Sequence, residues 1–221
     1  MIAQYKLIIF DWDGTLMDSQ ARIVACLKSA AADMHLPLLG DNTLKKIIGL
    51  GLNEAILNLY PQLNMMQVNQ FADRYRYLFI TANDTPSALF TDVKKMLELL
   101  QAKGFMLAIA TGKARRGLEP VLQETGLKHL FHGSRCADET RSKPHPQMLE
   151  ELIDEFAVSV DEAIMVGDTE YDMLMAKSLG MDALAVSYGV HDKADILKHE
   201  PVYCADSIDQ LSQWLLNCHC C

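Results

Sequence analysis

The chain has 221 residues, half of them apolar, which is enough for one large domain or for a domain with a moderate insert. Asp and Glu number 29 against 20 Lys and Arg, and the net charge of −9 excludes a broad nucleic-acid or anionic-membrane surface, where basic residues have to dominate. No apolar run approaches the roughly 18 residues of a membrane-spanning helix, and the start, Met1 to Lys6, lacks the long apolar region of a signal peptide. A cytoplasmic protein is therefore expected.

Lys6-Leu7-Ile8-Ile9-Phe10 is a short apolar run with β-branched residues, and it predicts a buried strand. Residues 18–84 then hold no clear strand. Ala21 to Met34, Asp41 to Ile48, Asn53 to Leu59 and Gln67 to Ala82 all carry helical patterning. That stretch is too long for a plain crossover and predicts an all-helical subdomain inserted after the first strand. Within it, Ile48 to Glu54 contains Gly49 and Gly51, either as a turn between helices or as a loop that approaches a ligand closely. Asn83-Asp84-Thr85-Pro86-Ser87 reads as the return linker.

Strands and helices then alternate. Apolar runs at Phe105 to Ala110, Ala163 to Val166 and Ala183 to Val186 predict strands. Val93, Met96, Leu97 and Leu100 before Gly104 predict a helix, as do Leu118, Val121 and Leu122 before Gly126 and Met173, Leu174 and Ala176 before Gly180. This rhythm predicts an α/β fold with a Rossmann-like parallel sheet covered on both faces. The expected division is residues 1–17 and 85–221 for the α/β core and 18–84 for the helical insert.

Four motifs sit at the ends of predicted strands, the edge where open parallel sheets bind ligands. Asp11 and Asp13 of Asp11-Trp12-Asp13-Gly14-Thr15 pair a candidate carboxylate nucleophile with a candidate acid. Two carboxylates so close also disfavour double ionisation, so that one can keep a proton near neutral pH. Thr111-Gly112 offers a hydroxyl and free N–H groups to an anion. Lys143 of Ser142-Lys143-Pro144-His145 offers a fixed positive charge, while His145 reads as loop structure. Asp168 and Asp172 in Gly167-Asp168-Thr169-Glu170-Tyr171-Asp172 are one helical turn apart and supply oxygen ligands that suit magnesium. Each motif alone has a plainer reading as a cap, a turn or a surface lysine.

In combination the motifs resemble the haloacid dehalogenase superfamily of phosphatases, in its phosphoglycolate phosphatase-like branch, over essentially the whole chain. The resemblance implies Asp11 as nucleophile and Asp13 as general acid, then base. It implies Mg²⁺ held by Asp11, Asp168 and the backbone carbonyl of Asp13. Thr111, the Gly112 N–H and Lys143 would hold the phosphoryl oxygens, with Asp172 orienting Lys143 or a metal-bound water. The insert would be the family's small cap and the partner a small phosphorylated metabolite, with monomer or homodimer both fitting this size. A dehalogenase is disfavoured by Asp13 and Asp168. A sugar phosphomutase remains open, because Leu50 and Leu52 stand in the cap loop but Lys45 and Lys46 are near. A silent phosphate-binding protein on the same fold also remains open. Substrate choice would fall to cap side chains, where Arg22, Lys28, Lys45, Lys46, Arg74 and Arg76 are scattered among apolar residues. The tail Cys218-His219-Cys220-Cys221 lacks the second ligand pair of a zinc site and is expected to have no metal role.

Overall fold

The computed structural model describes residues 5–218. Leu7–Phe10 forms β1, in which Leu7 and Ile9 face one side of the sheet and Ile8 and Phe10 the other, so every residue is buried. The chain leaves through a two-residue strand, β2 (Met17–Asp18), into helices α1 (Gln20–Asp33), α2 (Asp41–Lys45), α3 (Leu52–Leu59) and α4 (Met65–Tyr77). It returns through β3 (Ala88–Leu89), which pairs antiparallel with β2 and ties the exit of the insert to its entry. The insert has its own apolar core, in which Ile23 and Leu27 of α1 meet Ile56 of α3 and Phe71 of α4.

Two predicted helices end differently from expectation. α4 begins at Met65 because Asn64 caps it: the Asn64 side chain accepts from the Gln67 N–H and the Gln67 side chain accepts from the Asn64 N–H, both at 3.0 Å. It widens into a π-helical turn at Leu78–Ala82, where the Phe79 carbonyl accepts from the Arg22 guanidinium at 2.6 and 3.1 Å. The predicted Asp41 to Ile48 helix stops at Lys45, and the chain then passes through Gly49 at φ 104°.

The remaining strands are β4 (Met106–Thr111), β5 (Gly133–Cys136), β6 (Ala163–Gly167), β7 (Asp182–Val186) and β8 (Tyr203–Ala205). With β1 they form a six-stranded parallel sheet in the order β5-β4-β1-β6-β7-β8. Helices α5 (Val93–Ala102), α6 (Arg115–Glu124) and α10 (Ile208–Asn217) pack on one face, and α7 (Gln147–Phe156), α8 (Glu170–Lys177) and α9 (Lys193–Ile196) on the other. The α/β class and the doubly covered parallel sheet are as the sequence predicted. From β1 the chain builds outward through β4 to β5, then crosses back to build β6, β7 and β8 on the other side. The C-terminal end of β1 is therefore the switch point, where a crevice opens.

No helix among the described residues is long and apolar enough to cross a membrane. Cys26, Cys136, Cys204 and Cys218 are free thiols. The rest of the cysteine-rich tail, residues 219–221, lies outside the described residues.

Candidate active site

The strands deliver the four motifs to one place. Asp11 follows β1 and continues its ladder by donating its N–H to the Val166 carbonyl at 2.9 Å. Thr111 is the last residue of β4, and Asp168 follows β6. Lys143 arrives on the loop between β5 and α7, and its peptide bond to Pro144 is cis. Asp11, Asp13, Thr111, Lys143, Asp168 and Asp172 are all buried. Lysines and carboxylates are almost never buried unless paired, so this concentration marks a site.

Lys143 stands at the centre of the cluster. Its Nζ donates to Asp172 Oδ1 at 2.6 Å and lies 2.9 Å from Asp11 Oδ1. Burial alone would push its ammonium toward the neutral form, but the Asp11 and Asp172 carboxylates outweigh burial and hold it above the ordinary lysine value. Asp172 uses its other oxygen to accept from the Thr169 N–H at 3.1 Å and hydroxyl at 2.7 Å. The cap of α8 is therefore Thr169, with Asp172 in its capping box. That removes the plainer reading of Asp168 as a cap and of Asp172 as an exposed carboxylate. His145 is held in its loop, with Nε2 2.9 Å from Arg141 Nη1 and Nδ1 accepting from the Gln147 N–H.

Asp168 accepts from the Thr15 hydroxyl at 2.9 Å and the Val190 N–H at 2.8 Å. Gly14, at φ 89°, passes so close that a Cβ would sit 2.2 Å from Asp168 Oδ2, so the turn after Asp13 requires glycine for space as well as for conformation. Asp13 is placed differently from the expected proton-sharing partner of Asp11. Its carboxylate accepts from Lys113 Nζ at 2.8 and 3.1 Å and from the Ser19 hydroxyl at 2.7 Å. The carboxylates gathered with Asp11 are Asp168 and Asp172. Burial, with Asp172 adding, pushes Asp11 up to about 7 against the pull of Lys143. Burial and the Asp11 and Asp172 charges hold Asp168 well above the carboxylate range. Lys113 and Ser19 were missed by sequence reasoning. Lys113 directly follows the Thr111-Gly112 motif, but nothing local shows that it reaches a carboxylate 100 residues earlier.

The anion motif after β4 is not a helix cap, since α6 starts at Arg115 after Ala114. The Thr111 hydroxyl accepts from the Lys113 N–H at 3.2 Å. At Gly112 a Cβ would lie 2.5 Å from both the Gly49 and Leu50 carbonyl oxygens, so the insert's loop rests against this residue. Two hydrogen bonds hold the same seam: the Gly51 N–H donates to Ser142 Oγ at 2.6 Å, and the Tyr171 hydroxyl donates to the Lys46 carbonyl at 2.7 Å. We expect Gly112→Ala to lower kcat/KM by about tenfold or more with little loss of Tm, because backbone must move at the seam and small misplacements are costly at a reacting centre. An unchanged kcat/KM would show that the loop's position does not matter.

Carboxylate oxygens of Asp11, Asp168 and Asp172 lie within 4.8 Å of one another. An all-oxygen donor set suits a hard divalent cation such as Mg²⁺. Asp11 Oδ2 is buried with no hydrogen-bond partner, which is costly unless a cation meets it. The residues present therefore fit Mg²⁺. A pH dependence follows from the raised carboxyls. Asp11 is protonated more readily folded than unfolded, so metal-free protein loses this contribution to stability as pH rises from about 4 through about 7. A cation needs the ionised form, so its binding strengthens over the same window. The gain in Tm on replacing EDTA by Mg²⁺ should be larger at about pH 8 than at about pH 6. Equal gains at both would contradict this assignment.

The sequence model of the haloacid dehalogenase-like hydrolases matches residues 8–186, which span every residue of the cluster. The phosphoglycolate phosphatase of Haemophilus influenzae strain 86-028NP is 30% identical over 220 residues, covering 96% of this chain and 98% of that protein. The phosphoglycolate phosphatase of Mannheimia succiniciproducens is 31% identical over 210 residues, covering 91% and 94%. A crystal structure described as a predicted phosphoglycolate phosphatase from Haemophilus somnus superposes with a TM-score of 0.84 at 27% identity, covering 96% of this chain and 98% of that one.

Proposed function

The chain belongs to the haloacid dehalogenase-like hydrolases, and from that premise we propose that it cleaves a small phosphomonoester through a covalent phosphoryl group on Asp11. The protein is a phosphoric monoester hydrolase. The observation that carries the mechanism is the buried Asp11 carboxylate beside the Lys143 ammonium, which Asp172 fixes from its other side. A carboxylate oxygen attacks phosphorus, and the bond from phosphorus to the alcohol oxygen breaks. Asp13, in its protonated form, gives its proton to that oxygen. It then takes one from the water that attacks phosphorus, releasing phosphate and restoring Asp11. The Thr111 hydroxyl, the Gly112 N–H and Lys143 hold the phosphoryl oxygens, and this positioning and charge balance are most of what phosphoryl transfer needs. Asp11, Asp168 and the Asp13 carbonyl would hold Mg²⁺, which when bound would offset the negative charge of the phosphoryl group. Asp172 keeps to Lys143.

Residues 18–84 act in this reading as a cap over a core of residues 1–17 and 85–221, and the seam at Gly112, Ser142 and Tyr171 supports it. Lys45 and Lys46 lie outside the residues that line the cavity above Asp11. Hydrolysis is thus favoured over a mutase, which would need a cap-loop cation for a second phosphate. A cytoplasmic location fits a small phosphorylated metabolite as substrate. The test is phosphate release from a panel of phosphomonoesters with Mg²⁺ and with EDTA. The panel includes 2-phosphoglycolate, because similar proteins carry that name, along with sugar phosphates and simple alkyl phosphates. Release that requires Mg²⁺ is the expected result. Release unchanged by EDTA, or none from any compound, would overturn the reading.

A further inference from the structure

Above Asp11, Asp13 and Thr111 lies a cavity of about 110 Å³. Beyond those reacting groups its wall is mainly hydrocarbon: Ile23 and Leu27 of α1, Leu50 and Leu52 at the cap loop, and Phe79 and Ile80 of the π-helical turn. We propose, resting on the phosphomonoesterase reading, that the preferred substrate is a phosphate ester of a compact apolar alcohol. A small ring or a branched aliphatic body suits this wall; the carboxylate of glycolate and the hydroxyls of a sugar do not.

Three cations line the cavity, and each faces a carboxylate of the protein. Lys113 Nζ is 2.8 Å from Asp13 Oδ2 and sits 4.7 Å above the Phe79 ring. Arg76 Nη1 is 2.9 Å and Arg116 Nη2 3.8 Å from Asp73 Oδ1. Of the other cap cations, Arg22 is spent on the Phe79 carbonyl, while Lys28 and Arg74 pair with Asp41 and Asp33. A substrate carboxylate would therefore have to draw Lys113 from the buried Asp13 or be desolvated against hydrocarbon, and both are costly, or else share the solvent-exposed Asp73 pairs, which bind weakly. A sugar would bury hydroxyls against a wall with few groups to bond them. The Arg76 Nε–H, buried without a partner, leaves one donor for an oxygen on the alcohol. An apolar body gains from the same wall. The cavity is smaller than the roughly 150 Å³ that encloses benzene, and the phosphoryl group shares it. It is partly open, so only a small ring or short branched chain can lie along the apolar wall, without being fully enclosed.

The experiment compares kcat/KM for benzyl phosphate and 3-methylbutyl phosphate with that for 2-phosphoglycolate and glucose 6-phosphate, all esters of primary alcohols. The apolar esters should lead by about tenfold or more. Leu52→Lys, at the half-buried first residue of α3, should narrow that lead toward 2-phosphoglycolate. An equal or better kcat/KM for 2-phosphoglycolate or glucose 6-phosphate would overturn the apolar assignment and leave the phosphatase intact. If no ester is cleaved, the phosphatase reading fails, and calorimetry with Mg²⁺ decides the pocket separately. Benzylphosphonate should then bind about tenfold tighter than 3-phosphonopropionate; equal or reversed affinities would overturn the proposal.

Discussion

Asp11→Asn should abolish phosphate release, by about four orders of magnitude or more, while the protein stays folded. The amide keeps the shape of the carboxylate, and the backbone bond from residue 11 to the Val166 carbonyl is unaffected. What is lost is the nucleophilic oxygen. Stability should not fall with activity. Asp11 is one of three buried carboxylates crowded together, and burial with its neighbours raises its pKa. Neutralising it removes a buried charge that Lys143 only partly offsets. In EDTA, above about pH 7, Tm should be unchanged or higher than wild type. Stopped phosphate assays together with thermal denaturation read both quantities. Substantial residual activity would remove Asp11 from the nucleophile's role.

Lys143→Met should have the opposite signature, losing activity and stability together. Lys143 is fully buried, and its ammonium is shared by Asp11 and Asp172. Methionine matches the length of the stem but leaves two buried carboxylates without their cation. Breaking a buried pair in this way costs about 3–5 kcal/mol, to be read from denaturant unfolding in EDTA. Adding Asp11→Asn to Lys143→Met should recover part of that loss, because one of the two stranded charges is gone. Additive losses in the double variant would mean that the two side chains do not interact as the structure has them.

The contrast between these variants depends on features that were unevenly legible in the sequence. Central strands β1, β4, β6 and β7 were readable because burial on both faces demands unbroken apolar runs. β5 was not, since Gly133-Ser134-Arg135-Cys136 is an edge strand with only Cys136 fully buried. β8, at the other edge, has three residues, and the ribbon of β2 and β3 has two per strand, too few to show a period. The helical insert was visible as a long gap in the strand rhythm, but its π-helical turn was not. That turn depends on Arg22 reaching a carbonyl 57 residues away.

The site divides in the same way. Asp11, Thr111 and Asp168 could be picked out because each stands at the end of an apolar run, and the sheet order then brings those strand ends together. Lys143 follows no such run and stood out only in combination with them. Their partners were hidden. Lys113 on Asp13, Thr15 on Asp168 and the rest of the insert's loop against Gly112 are contacts over long sequence separations. The two carboxylates closest in sequence, Asp11 and Asp13, turn to different cations, whereas Asp11, Asp168 and Asp172 meet through the fold.

The central claim is a phosphoryl group carried on Asp11, and the most direct measurement is to trap it. Wild type and Asp13→Asn are mixed with a cleaved phosphomonoester and Mg²⁺, quenched in acid, digested and analysed by mass spectrometry. The account predicts one phosphoryl group on the peptide containing Asp11. It should be released by hydroxylamine, absent from Asp11→Asn, and, with an aryl phosphate whose leaving group needs no acid, more abundant in Asp13→Asn, where the second step lacks its base. A phosphoryl group on another peptide, or turnover at the full wild-type rate in Asp11→Asn, would contradict it.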